Sequence, residues 1–404
     1  MDEQKENTEQ AEAAEEGADA MSQSEYMVDI ASDRVYNNQM DEYRDAFTRW
    51  RNDRSNRLGY RFVHDTREHI YVDGSGFADK QAVIAETRSL HSCLQFLGIL
   101  MLSGFLLEQI SFAVMKMMGY TYVHINRTYY SLRSMSVVVS SEQMYFYCIT
   151  KILILILPIV IITRVVKLPL QVTLPKAKIN RELVLYTFAV GLMLFVCFRF
   201  FDYTLTYLLR MVHLDVTFYT YIQTDTERAQ ICYFFCDLII APILTELLFR
   251  GCILQLFRQF GDNYAIFISS LAAALCYHDI SKMLFVFSLG IALGVFTVRN
   301  GSLFPAVVTQ LFFTNTSLLL NTLAKEKFLI RNNLVEIGVC LGILTLSFLL
   351  MIFMRIHFDN PFRLVRDNTE LQFQQKVRQL LNSSVAVVWL LLMLLATILS
   401  VGFI

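Results

Sequence analysis

The sequence predicts an all-α polytopic membrane protein, with eight or nine helices threading the bilayer and a soluble, acidic N-terminal arm. Two observations carry this. The 404 residues are 55% hydrophobic and only 18% charged, where soluble domains hold about 45–50% apolar and about 25% charged residues. The apolar residues also fall in long runs separated by short polar stretches, as membrane helices do. A formal net charge of -1 leaves no basic surface to suit a nucleic acid.

The elements follow in order. Met1 to Ala20 are rich in Glu and Ala and lack the apolar core of a signal peptide. The tail 1–33 has too little apolar surface to offset the entropy of folding and is expected to be disordered. Residues 34–91 are polar but carry aromatics such as Tyr43, Phe47, Trp50 and Tyr60, which suits a partly helical cytosolic arm packed on the membrane domain. A crossing helix needs about 20 apolar residues. Runs of that kind lie at 93–115, 144–164, 182–202, 229–250, 262–279, 283–299, 303–324 and 333–354, within a membrane domain at 92–354. His278, Asp279 and Lys282 divide the fifth run from the sixth. A cytosolic linker at 355–383 leads to an extra C-terminal span at 384–404.

Lys and Arg gather after the second run (Arg164, Lys167, Lys176, Lys178, Arg181) and after the eighth (Arg355, Arg363, Arg366, Lys376, Arg378). Basic loops stay inside, so these loops and the N-terminus are expected in the cytoplasm, most simply beneath a bacterial plasma membrane. Asn126-Arg127-Thr128 is a glycosylation sequon in an outside loop. The eight cysteines form no Cys-x-x-Cys pair and read as small packing residues.

Ionisable residues inside spans are costly and mark function. Glu246 and Arg250 are four apart on one helix face, either as a self-neutralised pair that lets the helix insert or as part of a site. His278 closes the next run, as an interfacial residue or a catalyst. Glu108, embedded in the first run, requires a partner or a cavity. Gly290 and Gly294 permit close helix approach.

Ala241-Pro242, Glu246, Phe249-Arg250-Gly251, then His278, then Phe287, Gly290 and Gly294, then Gly301-Ser302-Leu303-Phe304-Pro305-Ala306 occur in one order. This ordered set resembles the CAAX-processing and bacteriocin-processing intramembrane protease (CPBP or Abi) family, across a core at about 182–324. The resemblance implies that family's helix bundle and an intramembrane endopeptidase, a hydrolase acting on CAAX-type or leader peptides. Peptide hydrolysis there needs a base to activate water and donors for the oxyanion. In the family two adjacent Glu, two His and an Asn are implicated. The resemblance puts Glu246, His278 and the structural partner Arg250 at retained positions. Thr245 replaces the first Glu, Gln310 the second His and Thr314 the Asn. Thr245 cannot act as a base at neutral pH, and Gln310 can donate a hydrogen bond but cannot carry a proton as imidazole does. Adjacent helical residues point about 100° apart, so Glu246 faces away from the lost carboxylate.

Three functions follow. The first is a catalytically impaired homologue, a pseudoprotease that binds a membrane-protein partner or a lipidated or leader peptide. The second is an active endopeptidase with a rearranged site, His278 acting with Glu246 or Asp279. The third is a transporter, for which no inverted repeat speaks. No cofactor or metal is expected, since a single His remains at the site and no Cys stands beside it at ligand spacing.

Overall fold

The computed structural model describes residues 40–53, 55–60, 69–72, 76–118, 134–178, 181–216, 219–278, 280–325, 333–357, 364, 369–399 and 401–403. The acidic tail 1–33, the sequon at Asn126 and Asp279 lie outside the described residues. An arm helix, α1 (Asp41–Asn52), and a hairpin, β1 (His69–Val72) with β2 (Gly76–Asp79), precede α2 (Lys80–Met117). Then come β3 (Ser134–Val139), α3 (Ser141–Arg164), the short α4 (Leu170–Thr173), α5 (Arg181–Met211), β4 (Leu214–Val216) and β5 (Tyr219–Thr224). A broken helix, α6 (Glu227–Phe260), leads to α7 (Asp262–Leu275) and α8 (Ile280–Asn300). The chain closes with α9 (Phe304–Lys325), α10 (Asn333–His357), α11 (Phe373–Asn382), α12 (Ser384–Leu399) and β6 (Val401–Phe403). The strands form only two-stranded pairs, with β3 on β5 and β4 on β6, so the bundle is helical.

Among the described residues five helices are long and apolar enough to cross a membrane: α2, α3, the Arg181–Phe201 part of α5, α6 and the Lys282–Asn300 part of α8. A sixth is added if α11 and α12 count as one bent span. The multi-spanning helical class expected from sequence stands, with five or six of its helices meeting this test among the described residues. The run at 262–279 yields a helix of only 14 residues, which rises about 21 Å and falls short of a hydrocarbon core of about 30 Å. It ends because the backbone turns at Cys276 to His278, where His278 adopts a φ of 20°. The division at His278 itself stands, since α8 begins at Ile280.

The arm is docked. Tyr43 donates to Gln255 Oε1 (2.5 Å) and accepts from Arg258 Nη1 (3.0 Å), while Arg258 also pairs with Asp262 (2.7 Å). Trp50 Nε1 donates to the Val166 carbonyl (3.0 Å). Gln259 donates to the Leu58 carbonyl (3.0 Å) and accepts from the Tyr60 N–H (2.7 Å). Burial of Tyr43, Phe47 and Trp50 in the main core supplies the apolar driving force.

The 355–383 linker is not featureless. Lys376 of α11 is buried, pairs with Glu86 (3.6 Å) and donates to the Phe260 carbonyl at the C-terminal end of α6, where a cation complements the helix dipole. Helix α12 packs on α2, where a Cβ at Gly98 would stand 3.0 Å from the Val385 and Ala386 backbone. The arm, the 165–178 strap, the 301–303 turn and α11 therefore gather at one end of the bundle. The strap and the turn are tied by Ala177 N–H to the Gly301 carbonyl (2.9 Å).

Candidate functional site

Helix α6 carries most of the retained motif, and its shape follows from Pro242. Proline has no N–H to give the Leu238 carbonyl four residues earlier. That oxygen instead accepts from Asn315 Nδ2 of α9 (3.3 Å). On either side of Ala241–Glu246 the helix widens into π turns, at Cys236–Ile240 and Leu247–Ile253. The N–H of Ala241 reaches back five residues to Cys236, and that of Leu254 back five to Phe249. Such turns recur at functional sites.

Thr245 is half-buried, and its hydroxyl donates to its own helix's Ala241 carbonyl (2.7 Å). Glu246 is fully buried and accepts from Arg250 Nη1 (2.9 Å). Glu246 Oε2, Arg250 Nε and Ser270 Oγ are buried with no hydrogen-bond partner among the described residues. Gly290 of α8 makes room for this group. A Cβ there would meet Arg250 Nη2 and Ser270 Oγ at 3.0 Å each. Gly251 allows the strap to approach, since a Cβ there would lie 2.6 Å from the Thr173 carbonyl oxygen.

His278 does not meet Glu246 in any hydrogen bond or ion pair among the described residues. Its Nε2 stands 3.5 Å from Glu108 Oε2 of α2, its ring meets Phe105 edge-on, and its Nδ1 is buried without a partner among the described residues. His278 thus stands beside Glu108, and Glu246 beside Arg250. Glu108, unexplained by sequence, has its partner here. Both side chains keep partial exposure, 22% for His278 and 32% for Glu108.

A second polar group lies between α3 and α6. Lys151 pairs with Asp237, Tyr147 accepts from Lys151 (3.0 Å), and Tyr233 donates to Asp237 (3.4 Å). Tyr277 lies within electrostatic reach of Lys151, Asp237 and Glu246. Sequence reasoning missed Lys151, although a lysine inside the apolar run 144–164 carries the same signal as Glu108.

Helix α9 packs on the 241–246 stretch. Gln310 and Thr314 are half-exposed there, and Thr314 donates to the Gln310 carbonyl (2.9 Å). The Gln310 amide has no partner among the described residues and can donate to an incoming carbonyl. Among the described residues no three His, Cys, Asp or Glu side chains converge as a metal ion would require.

Residues 227–315, which contain every one of these α6, turn and α9 positions, match the family described as Type II CAAX prenyl endopeptidase Rce1-like. No curated protein and no solved structure matches the chain. Residues 227–315 of this membrane-spanning chain are thus similar to the type II CAAX prenyl endopeptidases, over less than a quarter of its length.

Proposed function

We propose that this protein binds a membrane-associated peptide segment, from a membrane-protein partner or a lipidated or leader peptide, and does not hydrolyse it by its family's route. The observation that carries this is on α6. The Thr245 hydroxyl is turned onto the Ala241 carbonyl, and the neighbouring Glu246 carboxylate is buried against Arg250. That helix offers α9 no free carboxylate, and without a base the attacking water stays unactivated. Gln310 and Thr314 keep hydrogen-bonding capacity suited to a peptide backbone. In this reading the arm and the basic loops face the cytoplasm, in a bacterial plasma membrane, and the peptide is met within the bundle.

A second reading, an active endopeptidase with a rearranged site, is favoured by one contact. Glu108 and His278 form a partly exposed carboxylate–imidazole pair supplied from outside the family's carboxylate helix.

The test is peptide cleavage and binding by the full chain in detergent micelles, on prenylated and leader-type peptides. The natural chain is expected to bind without cleaving, and Thr245→Glu with Gln310→His and Thr314→Asn to cleave. Cleavage by the natural chain that both His278→Ala and Glu108→Gln abolish would overturn the first reading and establish the second.

A further inference from the structure

Helix α11 divides its surface into three stripes, each of residues four apart and so on one side of a helix. Lys376 and Leu380 point into the protein and are buried. Gln374, Arg378 and Asn382 form a polar, exposed stripe. Phe373, Val377 and Leu381 form an apolar stripe beside the buried one. Its inner edge touches the protein, with Phe373 edge-on to Tyr264 and Phe267 and Val377 against the core, and its outer edge is open, with Phe373 44% and Leu381 63% exposed.

The chain beyond α11 says what covers them. After Ser383 it enters α12, at 82° to α11. Helix α12 is apolar throughout, buries Trp389 and Met393 against the bundle, and exposes Val388, Leu391, Leu395 and Ile398 on its outer side. With that outer side turned to lipid and α12 crossing, a helix at 82° to it runs near the plane of the bilayer.

We propose that α11 is an interfacial helix. Its Phe373–Val377–Leu381 stripe is seated at the boundary of headgroups and acyl chains, continuous with the lipid-facing side of α12. Gln374, Arg378 and Asn382 face water, as the polar side of such helices does. The partner is the lipid surface itself. The seat matters for the site, because Lys376 of the same helix holds the Phe260 carbonyl at the end of α6, the helix that carries Glu246. Membrane contact at α11 thereby sets the position of one end of the candidate site helix.

The chain's two tryptophans, Trp50 and Trp389, are both buried and emit as a fixed background, so an added indole is read as the difference from the parent chain. The full chain carrying Leu381→Trp, and separately Gln374→Trp, is reconstituted into phosphatidylcholine vesicles. Their acyl chains bear bromine either near the headgroup or near the bilayer centre. The Leu381→Trp emission is expected to be blue-shifted and quenched more by the shallow label than by the deep one. The Gln374→Trp emission is expected to be quenched by aqueous iodide instead. Phe373→Trp is the second reporter of the apolar stripe if the Leu381 variant does not fold. Apolar-stripe emission that no brominated lipid quenches would overturn the proposal, whether it reports water or a covering protein. Deep quenching at both Leu381 and Gln374 would overturn it too, as one broken span.

Discussion

The Arg250 guanidinium and the Glu246 carboxylate are both buried, 2.9 Å apart, with Arg250 Nε and Glu246 Oε2 left without a hydrogen bond among the described residues. Arg250→Met alone leaves a buried, unpaired carboxylate and is expected to lower stability by about 3–5 kcal/mol. Adding Glu246→Leu should recover most of that loss, and thermal unfolding in detergent compares the two. Asn315→Leu removes the donor that serves the carbonyl orphaned by Pro242. Its expected cost is about 1 kcal/mol, read in the same unfolding experiment. The spacing of Glu246 and Arg250 was legible in sequence because four residues make about one helical turn. The Glu108–His278 contact was not, since its members lie on separate elements and only the packing of α2 against the 276–278 turn brings them together. Asn315 was overlooked for a related reason, as the oxygen it serves belongs to another helix.

At the scale of elements, glycines show where helices and straps close up. Gly251→Ala would put a methyl group 2.6 Å from a backbone oxygen of α4. Backbone moves less readily than a side-chain tip, so the strap or the helix must shift, at a cost of about 1–3 kcal/mol. Gly342→Ala is the control. A Cβ there meets nothing within 4 Å, and Ala is the better helix former by about 1 kcal/mol, so this variant is expected to be neutral or more stable. Both are read as midpoints of thermal unfolding. The apolar runs gave α2, α3, α5, α6 and α8 from composition and length alone. They overran α7, whose 14 residues are enclosed by protein on nearly all sides, where a crossing helix is enclosed by lipid. Hydropathy does not tell these two surroundings apart.

At the scale of the whole molecule, the arm and the C-terminal helices close over the same end of the bundle, by Tyr43 on Gln255 and by Lys376 on Phe260. Tyr43→Phe strips a buried hydroxyl from between Gln255 and Arg258, leaving both under-satisfied. It is expected to cost about 1–3 kcal/mol and to speed protease cleavage near residue 54 in limited digestion. An unchanged digestion rate would mean that the apolar face of α1 holds the arm without its polar contacts. The aromatics of 34–91 suggested in sequence that the arm packs, but not where, because Gln255, Arg258 and Gln259 read as an ordinary polar end of a span.

Docking of the arm also has a timetable. Tyr43 and Gln255 are 212 residues apart in the chain. At about 5–20 residues per second, the ribosome makes the arm roughly 10–40 s before its seat exists. Trp50 finds the Val166 carbonyl sooner, 116 residues on, so the arm docks in two stages. The newborn arm must wait beside the membrane with Tyr43 unserved while four crossings are laid down behind it.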